Sequence, residues 1–131
     1  MTRRYARELA LQTLFSVELG HHDPSVALEE TLTHRGIGEH RAFVKDLVLG
    51  TLEHAGDADS AISPLLEGWT IDRLPTVDRL LLRMGYFEMH YRPETPRPVV
   101  INEAVELAKK FSTEDSGRFV NGVLSSASKV A

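Results

Sequence analysis

The chain has 131 residues and a formal charge of −4, with 42% apolar and 26% charged residues, six histidines and no cysteine. That length buries roughly two thirds of the surface an unfolded chain exposes, and the balance excludes a disordered segment, a disulfide scaffold, a thiolate nucleophile and a protein that coats nucleic acid through its overall charge. No run approaches the roughly 18 apolar residues of a membrane span, and Glu8 and Gln12 interrupt the stretch that most resembles a signal peptide, so a cytoplasmic protein is expected.

The first helix is predicted from about Arg3 to Leu19, with Leu11, Leu14, Phe15 and Leu19 on a broad core face and Gly20 to Pro24 stopping it. Arg3, Arg4 and Arg7 fall on one side of its first turns, because spacings of three and four share a face. Residues 1–7 carry these three arginines and no acid, a charge of +3, so residues 8–131 carry −7. Any anionic ligand is thereby directed to a local patch. A solvated helix start is the competing reading of the same arginines.

A short helix from about Ser25 to His34 ends at the Gly36-Ile37-Gly38 turn. Phe43, Val44, Leu47, Val48, Leu52 and Ala55 then form the core stripe of a strong helix. Asp57 or Asp59 can cap a further short helix, which Pro64 must kink or shorten. A seam between subdomains is expected near residues 67–75, dividing one domain into about 1–70 and 71–131.

Pro75 suits the start of the next helix, which runs to about Tyr91 and is apolar nearly all round, so it is expected to be central and buried. Arg79 and Arg83 share its outward side, and Asp78 and Glu88 read as surface acids. Prolines 93, 96 and 98 make a rigid connection. Residues 99–124, VVINEAVELAKKFSTEDSGRFVNGVL, then hold two stripes, Val100, Ile101, Ala104, Val105, Ala108 and Phe111, and Phe119, Val120, Val123 and Leu124 with Ala127 beyond, separated by Ser112 to Asp115. That pattern predicts a tight helical hairpin with a hydroxyl and carboxylate cluster at the start of its second helix. The fold class is all-α, with about seven helices.

Phosphate-binding loops, nucleophile elbows and metal-binding histidine pairs are missing from the sequence, and neither Asp78 nor Glu88 has a paired carboxylate at helical spacing. No enzymatic activity, metal or cofactor is expected.

Three stretches, RRYARELALQTLF, LPTVDRLLLRMGYFEM and VVINEAVELAKKFSTEDSGRFVNGVL, resemble the NusB family of bacterial transcription antitermination factors, and the similarity spans almost the whole chain. The resemblance implies two three-helix bundles packed across each other. It implies binding of boxA RNA together with the ribosomal protein NusE, in company with RNA polymerase and other Nus factors, to suppress termination during ribosomal RNA synthesis. Carried over by position, Arg3, Arg4 and Arg7 match the family's RNA-facing first helix, Lys109, Lys110, Asp115 and Arg118 match the hairpin region beside it, and Asp78 matches an acidic position that contacts NusE. The chain departs from the pattern in having only three N-terminal arginines. A helical interaction module or homodimer acting without direct RNA contact is the alternative.

Two points stay open in the sequence. Asp115 can cap the second helix or, as a carboxylate in a phosphate-facing patch, moderate RNA affinity. Gly117 and Gly122 are each about 1 kcal/mol worse than alanine in a helix, offset either by close helix packing or by direct approach of RNA to the backbone. Phe119 is expected in the core, where Phe119→Ala would cost ~3–5 kcal/mol.

Overall fold

The computed structural model describes residues 1–130 and contains seven α-helices and three short 3-10 turns, with no strand among the described residues. Helix α1 spans Arg3–Leu19, α2 Pro24–Leu32, α3 Arg41–Glu53, α4 Ala55–Ile62, α5 Thr76–Tyr91, α6 Arg97–Phe111 and α7 Glu114–Ala127. No helix among them is long and apolar enough to cross a membrane.

The chain divides into two compact units, Met1–Leu52 and Glu53–Ala131. The division falls between α3 and α4, about fifteen residues before the seam expected near residues 67–75. The physical reason is that α4 packs on α5 and α7, so the short helix belongs with the C-terminal unit. Glycine and tryptophan at 68 and 69 mark a turn, whereas the glycines nearest the boundary between compact units, Gly50 and Gly56, lie inside α3 and α4 and give no turn signal.

In the first unit α1 packs on α2. Arg41, at the start of α3, donates to the Leu32 carbonyl that ends α2, at 2.6 Å. Leu9, Leu14, Leu28, Val44, Leu47 and Val48 are buried there. Thr13 reaches back to the Leu9 carbonyl at 2.8 Å and meets Thr31 of α2, so these two hydroxyls are satisfied within the unit.

The second unit is organised around α5, which packs on α4, α6 and α7. Pro75 precedes its first turn, where a missing N–H costs nothing. Its Leu80, Leu81, Leu82, Met84, Phe87 and Met89 are all buried, as expected of a helix that is apolar nearly all round. Gly85 has a specific purpose here, because a Cβ at that position would come within 2.8 Å of a Leu124 methyl carbon on α7. The outward side expected for Arg79 and Arg83 is not found. Arg79 is buried and donates to the Leu74 carbonyl at 3.2 Å, while Arg83 grips Asp59 of α4 through two bonds of 2.8 Å. Glu88 is likewise buried rather than a surface acid. Asp59 is therefore spent on a bidentate ion pair, and Asp57 lies in the first turn of α4 behind His54. Pro64 ends α4 at Ile62 and sits in the 3-10 turn Ser63–Leu65.

Helix α6 buries Val100, Ala104, Leu107 and Ala108. The observed stripe is rotated slightly from the predicted one, since Ile101 and Val105 are half-buried, Leu107 takes the core place and Phe111 is exposed. Helix α7 buries Val120, Val123, Leu124 and Ala127 as expected.

Candidate nucleic-acid interface

In the first unit Thr2 caps α1 by accepting from the Tyr5 amide at 3.0 Å, which fixes the first turn and the direction of its arginines. The Arg3 guanidinium lies 3.9 Å from the centre of the Phe43 ring, and that of Arg7 lies 5.1 Å from it. Two cations at i and i+4 thus share one aromatic ring on α3, and the ring that holds their side chains carries no countercharge of its own. Arg3 and Arg4 are exposed, but Arg7 is only 5% exposed. The expectation of three equivalent surface arginines is corrected accordingly, because the i+4 spacing that puts Arg7 beneath Arg3 also tucks it behind the ring. Phe43, read from the sequence as core, is half-buried and supports the cations. The signal that could have found it is an aromatic residue on a neighbouring helix in a chain whose first seven residues hold three arginines and no acid.

In the second unit the α6–α7 turn is built by hydroxyls. Thr113 is the cap of α7 and accepts from the Ser116 amide at 3.0 Å, and the Ser112 and Ser116 hydroxyls meet at 2.8 Å. Asp115 is therefore not the cap; it occupies the first turn, where a carboxylate suits the helix dipole, and pairs with Arg118 one turn on. Both side chains are largely exposed, so the pair adds little stability but does offset one cation of the turn. Lys109 and Lys110 are exposed in the last turn of α6, the favourable end of its dipole for a cation. Gly117 is explained by packing, since a Cβ there would stand 3.0 Å from Lys109 Cγ, and its absence lets the lysine stem lie on α7. Gly122 is not explained that way: it is exposed, with open space where a Cβ would sit.

Behind the turn lies a recess of about 210 Å³ walled by Trp69, Leu74, Pro75 and Phe119, with Thr113, Asp115 and Ser116 at its edge. Asp78 is part of its lining and is 4% exposed, which corrects the reading of this residue as a surface acid. Ser116 donates to Asp78 Oδ2 at 3.4 Å, and Oδ1 is buried with no hydrogen-bond partner. Burial pushes the Asp78 carboxyl above the usual carboxylate range, opposed by the Ser116 bond. Phe119 is half-buried in the wall of this recess rather than in the core, and Trp69 is 56% exposed. A desolvated carboxylate with a vacant acceptor atom, in an apolar recess, suits a cationic or hydrogen-bond-donating group of a partner.

The NusB family model matches residues 4–129. The chain belongs to the NusB family. Among curated NusB transcription antitermination proteins, that of Shouchella clausii is 47% identical over 131 residues, covering 100% of this chain and 97% of its own. That of Desulforamulus reducens is 46% identical over 125 residues, covering 95% and 87%. Of solved structures, NusB from T. maritima superposes with a TM-score of 0.90 at 34% identity, over 99% of this chain and 92% of that one. A chain from a complex of the antitermination factors NusB and NusE with double-stranded RNA superposes with a TM-score of 0.88 at 32% identity, over 98% and 97%. The NusB resemblance of the three sequence stretches is thus established across almost the full length, together with the all-α fold.

Proposed function

We propose that this NusB-family chain is a transcription antitermination factor that binds boxA-type single-stranded RNA together with the ribosomal protein NusE, and acts by binding rather than by catalysis in the cytoplasm. The observation that carries the reading is the segregation of charge chemistry: exposed Arg3 on an aromatic support beside exposed Arg4 in one unit, and a buried, half-satisfied carboxylate lining a recess in the other. A structural relative in complex with NusE and RNA supports it.

In this reading Arg3 and Arg4 take phosphates, and Arg7 holds the Phe43 ring on which Arg3 rests. Lys109, Lys110 and Arg118 add cationic contacts at the hairpin, with Asp115 tempering Arg118. Asp78 receives a donor from NusE. The factor would join RNA polymerase and the other Nus factors during ribosomal RNA synthesis.

Fluorescence anisotropy with a boxA RNA and a scrambled control, with and without NusE, tests the proposal. A preference for boxA that strengthens with NusE is expected. Equal binding of both RNAs in both conditions would overturn it in favour of a helical interaction module that does not read RNA.

A further inference from the structure

The first unit presents a second aromatic residue whose setting differs from that of Phe43. Tyr5 follows Arg3 and Arg4 directly on α1 and is 37% exposed. Its ring meets the His34 ring edge-on, with centroids 5.6 Å apart and planes at 67°, and its hydroxyl lies 3.2 Å from His34 Nε2. Phe43, by contrast, has guanidinium groups over its ring. One ring is thus approached by the protein's own cations, and the other packs at a steep angle against a histidine and keeps about a third of its surface exposed.

The protonation of the pair follows from burial. His34 Nδ1 is buried without a partner. An orphaned N–H is more costly than an orphaned acceptor lone pair, so the proton sits on Nε2, which donates to the Tyr5 oxygen. The tyrosine's own O–H proton is then left for an acceptor outside the pair.

Residues 1–7 around this ring in the sequence contain Arg3, Arg4 and Arg7 and no acid, and the acid that follows, Glu8, is buried. A partly exposed aromatic ring next to arginines, with a hydroxyl donor to spare, matches the combination that holds single-stranded nucleic acid: phosphates on the arginines and a base on the aromatic ring. We propose that Tyr5, braced by His34, is a stacking platform for one base of a single-stranded RNA whose phosphates contact Arg3 and Arg4, with the Tyr5 hydroxyl donating to an oxygen or ring nitrogen of that nucleotide. The inference rests on the RNA-binding reading above and adds to it a non-electrostatic contact that the arginines cannot supply. A duplex keeps its bases stacked on each other, so the platform favours single strands.

The experiment is anisotropy of a labelled boxA-type single-stranded RNA with the full chain and NusE, over a range of salt concentrations, for the wild type, Tyr5→Leu and Tyr5→Phe. Thermal melts confirm that each variant folds. Tyr5→Leu is expected to raise Kd roughly 5- to 150-fold, the span of one base–aromatic stack, with the slope of log K against log salt unchanged because no phosphate contact is lost. Tyr5→Phe keeps the ring and should lose less than Tyr5→Leu. The fluorescent base 2-aminopurine, scanned along the RNA, should be quenched at one position by the wild type and Tyr5→Phe but not by Tyr5→Leu.

RNA binding by the wild type that Tyr5→Leu leaves unaltered overturns the platform and leaves the functional reading standing. A loss accompanied by a flatter salt slope also overturns it, since Tyr5 would then act through the arginines. Weaker binding of NusE alone to Tyr5→Leu, with RNA binding unaltered, assigns the ring to the protein partner instead. No RNA binding by the wild type in any condition overturns the functional reading itself. If Tyr5→Leu fails to fold, the 2-aminopurine scan on the wild type and Tyr5→Phe decides alone, and quenching at no position counts against the platform.

Discussion

The start of α1 and the α6–α7 turn are both charged surfaces, yet they are built on opposite principles. At α1 the cations rest on an aromatic ring, which holds Arg3 in place while leaving its charge intact for a ligand. At the hairpin Arg118 is paired with Asp115 and the lysine at 109 lies along Gly117, while the group with unspent bonding capacity is the buried acid Asp78 behind the turn. Counting exposed charge therefore mislocates function. In the proposed reading the first region receives an anion and the recess behind the second receives a donor or cation, although the hairpin surface is the one with more lysine.

The largest effects separate core from recess wall. Phe87 is 1% exposed, so Phe87→Ala should destabilise the chain by ~3–5 kcal/mol. Phe119 is half-buried in the recess, and Phe119→Ala should cost only about 1–2 kcal/mol, a part of what full burial of the ring supplies. Equal losses in urea melts of the two variants would return Phe119 to the core and remove the contrast between recess and α1.

Asp78→Lys is expected to weaken NusE binding by about 2–5 kcal/mol through loss of a desolvated charge partner, with helical content by circular dichroism retained. Calorimetry showing undiminished affinity would refute the assignment of the recess to NusE. The companion variant Asp78→Asn probes the cost of the buried charge. Because burial raises the folded carboxyl above its unfolded value of 3.8, the folded state holds the proton more tightly than the unfolded state. Stability contributed by Asp78 is therefore highest at acidic pH and falls as pH rises through the raised folded value. Asp78→Asn should melt higher than the wild type at pH 7, and the gain should vanish below about pH 4, near the reference pKa of the unfolded side chain. A variant less stable at pH 7 would mean that the carboxylate is satisfied and the recess is not poised for a donor.

The smallest effect concerns Gly122, whose absent Cβ faces open space in the middle of α7. Gly122→Ala should stabilise by about 0.5–1 kcal/mol from helix propensity alone. If the melting gain is accompanied by weaker RNA binding, the glycine serves backbone approach by RNA, and the hairpin's part in RNA binding extends beyond Lys109, Lys110 and Arg118.

Much of the fold was legible because helical periodicity and stop signals are local. The predicted span Arg3 to Leu19 is the observed α1, and the hairpin of α6 and α7 has its turn where Ser112 and Thr113 stand. Family membership was legible from three long stretches of specific wording. What escaped was burial of polar groups. A 3.6-residue period says which residues share a face but not what covers that face, so Arg7, Asp78, Arg79 and Glu88 were placed at the surface when the structure buries all four. The cap stayed open among four candidates, because Ser112, Thr113, Glu114 and Asp115 all have acceptor side chains and only the backbone geometry selects Thr113.

The central claim, that α1 receives the phosphates, is tested most directly by the salt dependence of RNA binding. For the Arg3→Ala/Arg4→Ala double variant bound to boxA RNA, the slope of log K against log salt should be shallower than the wild type's by about 1.4, two phosphates at roughly 0.7 each for a single strand. A slope identical to that of the wild type would contradict the account and place the phosphate contacts on another part of the protein.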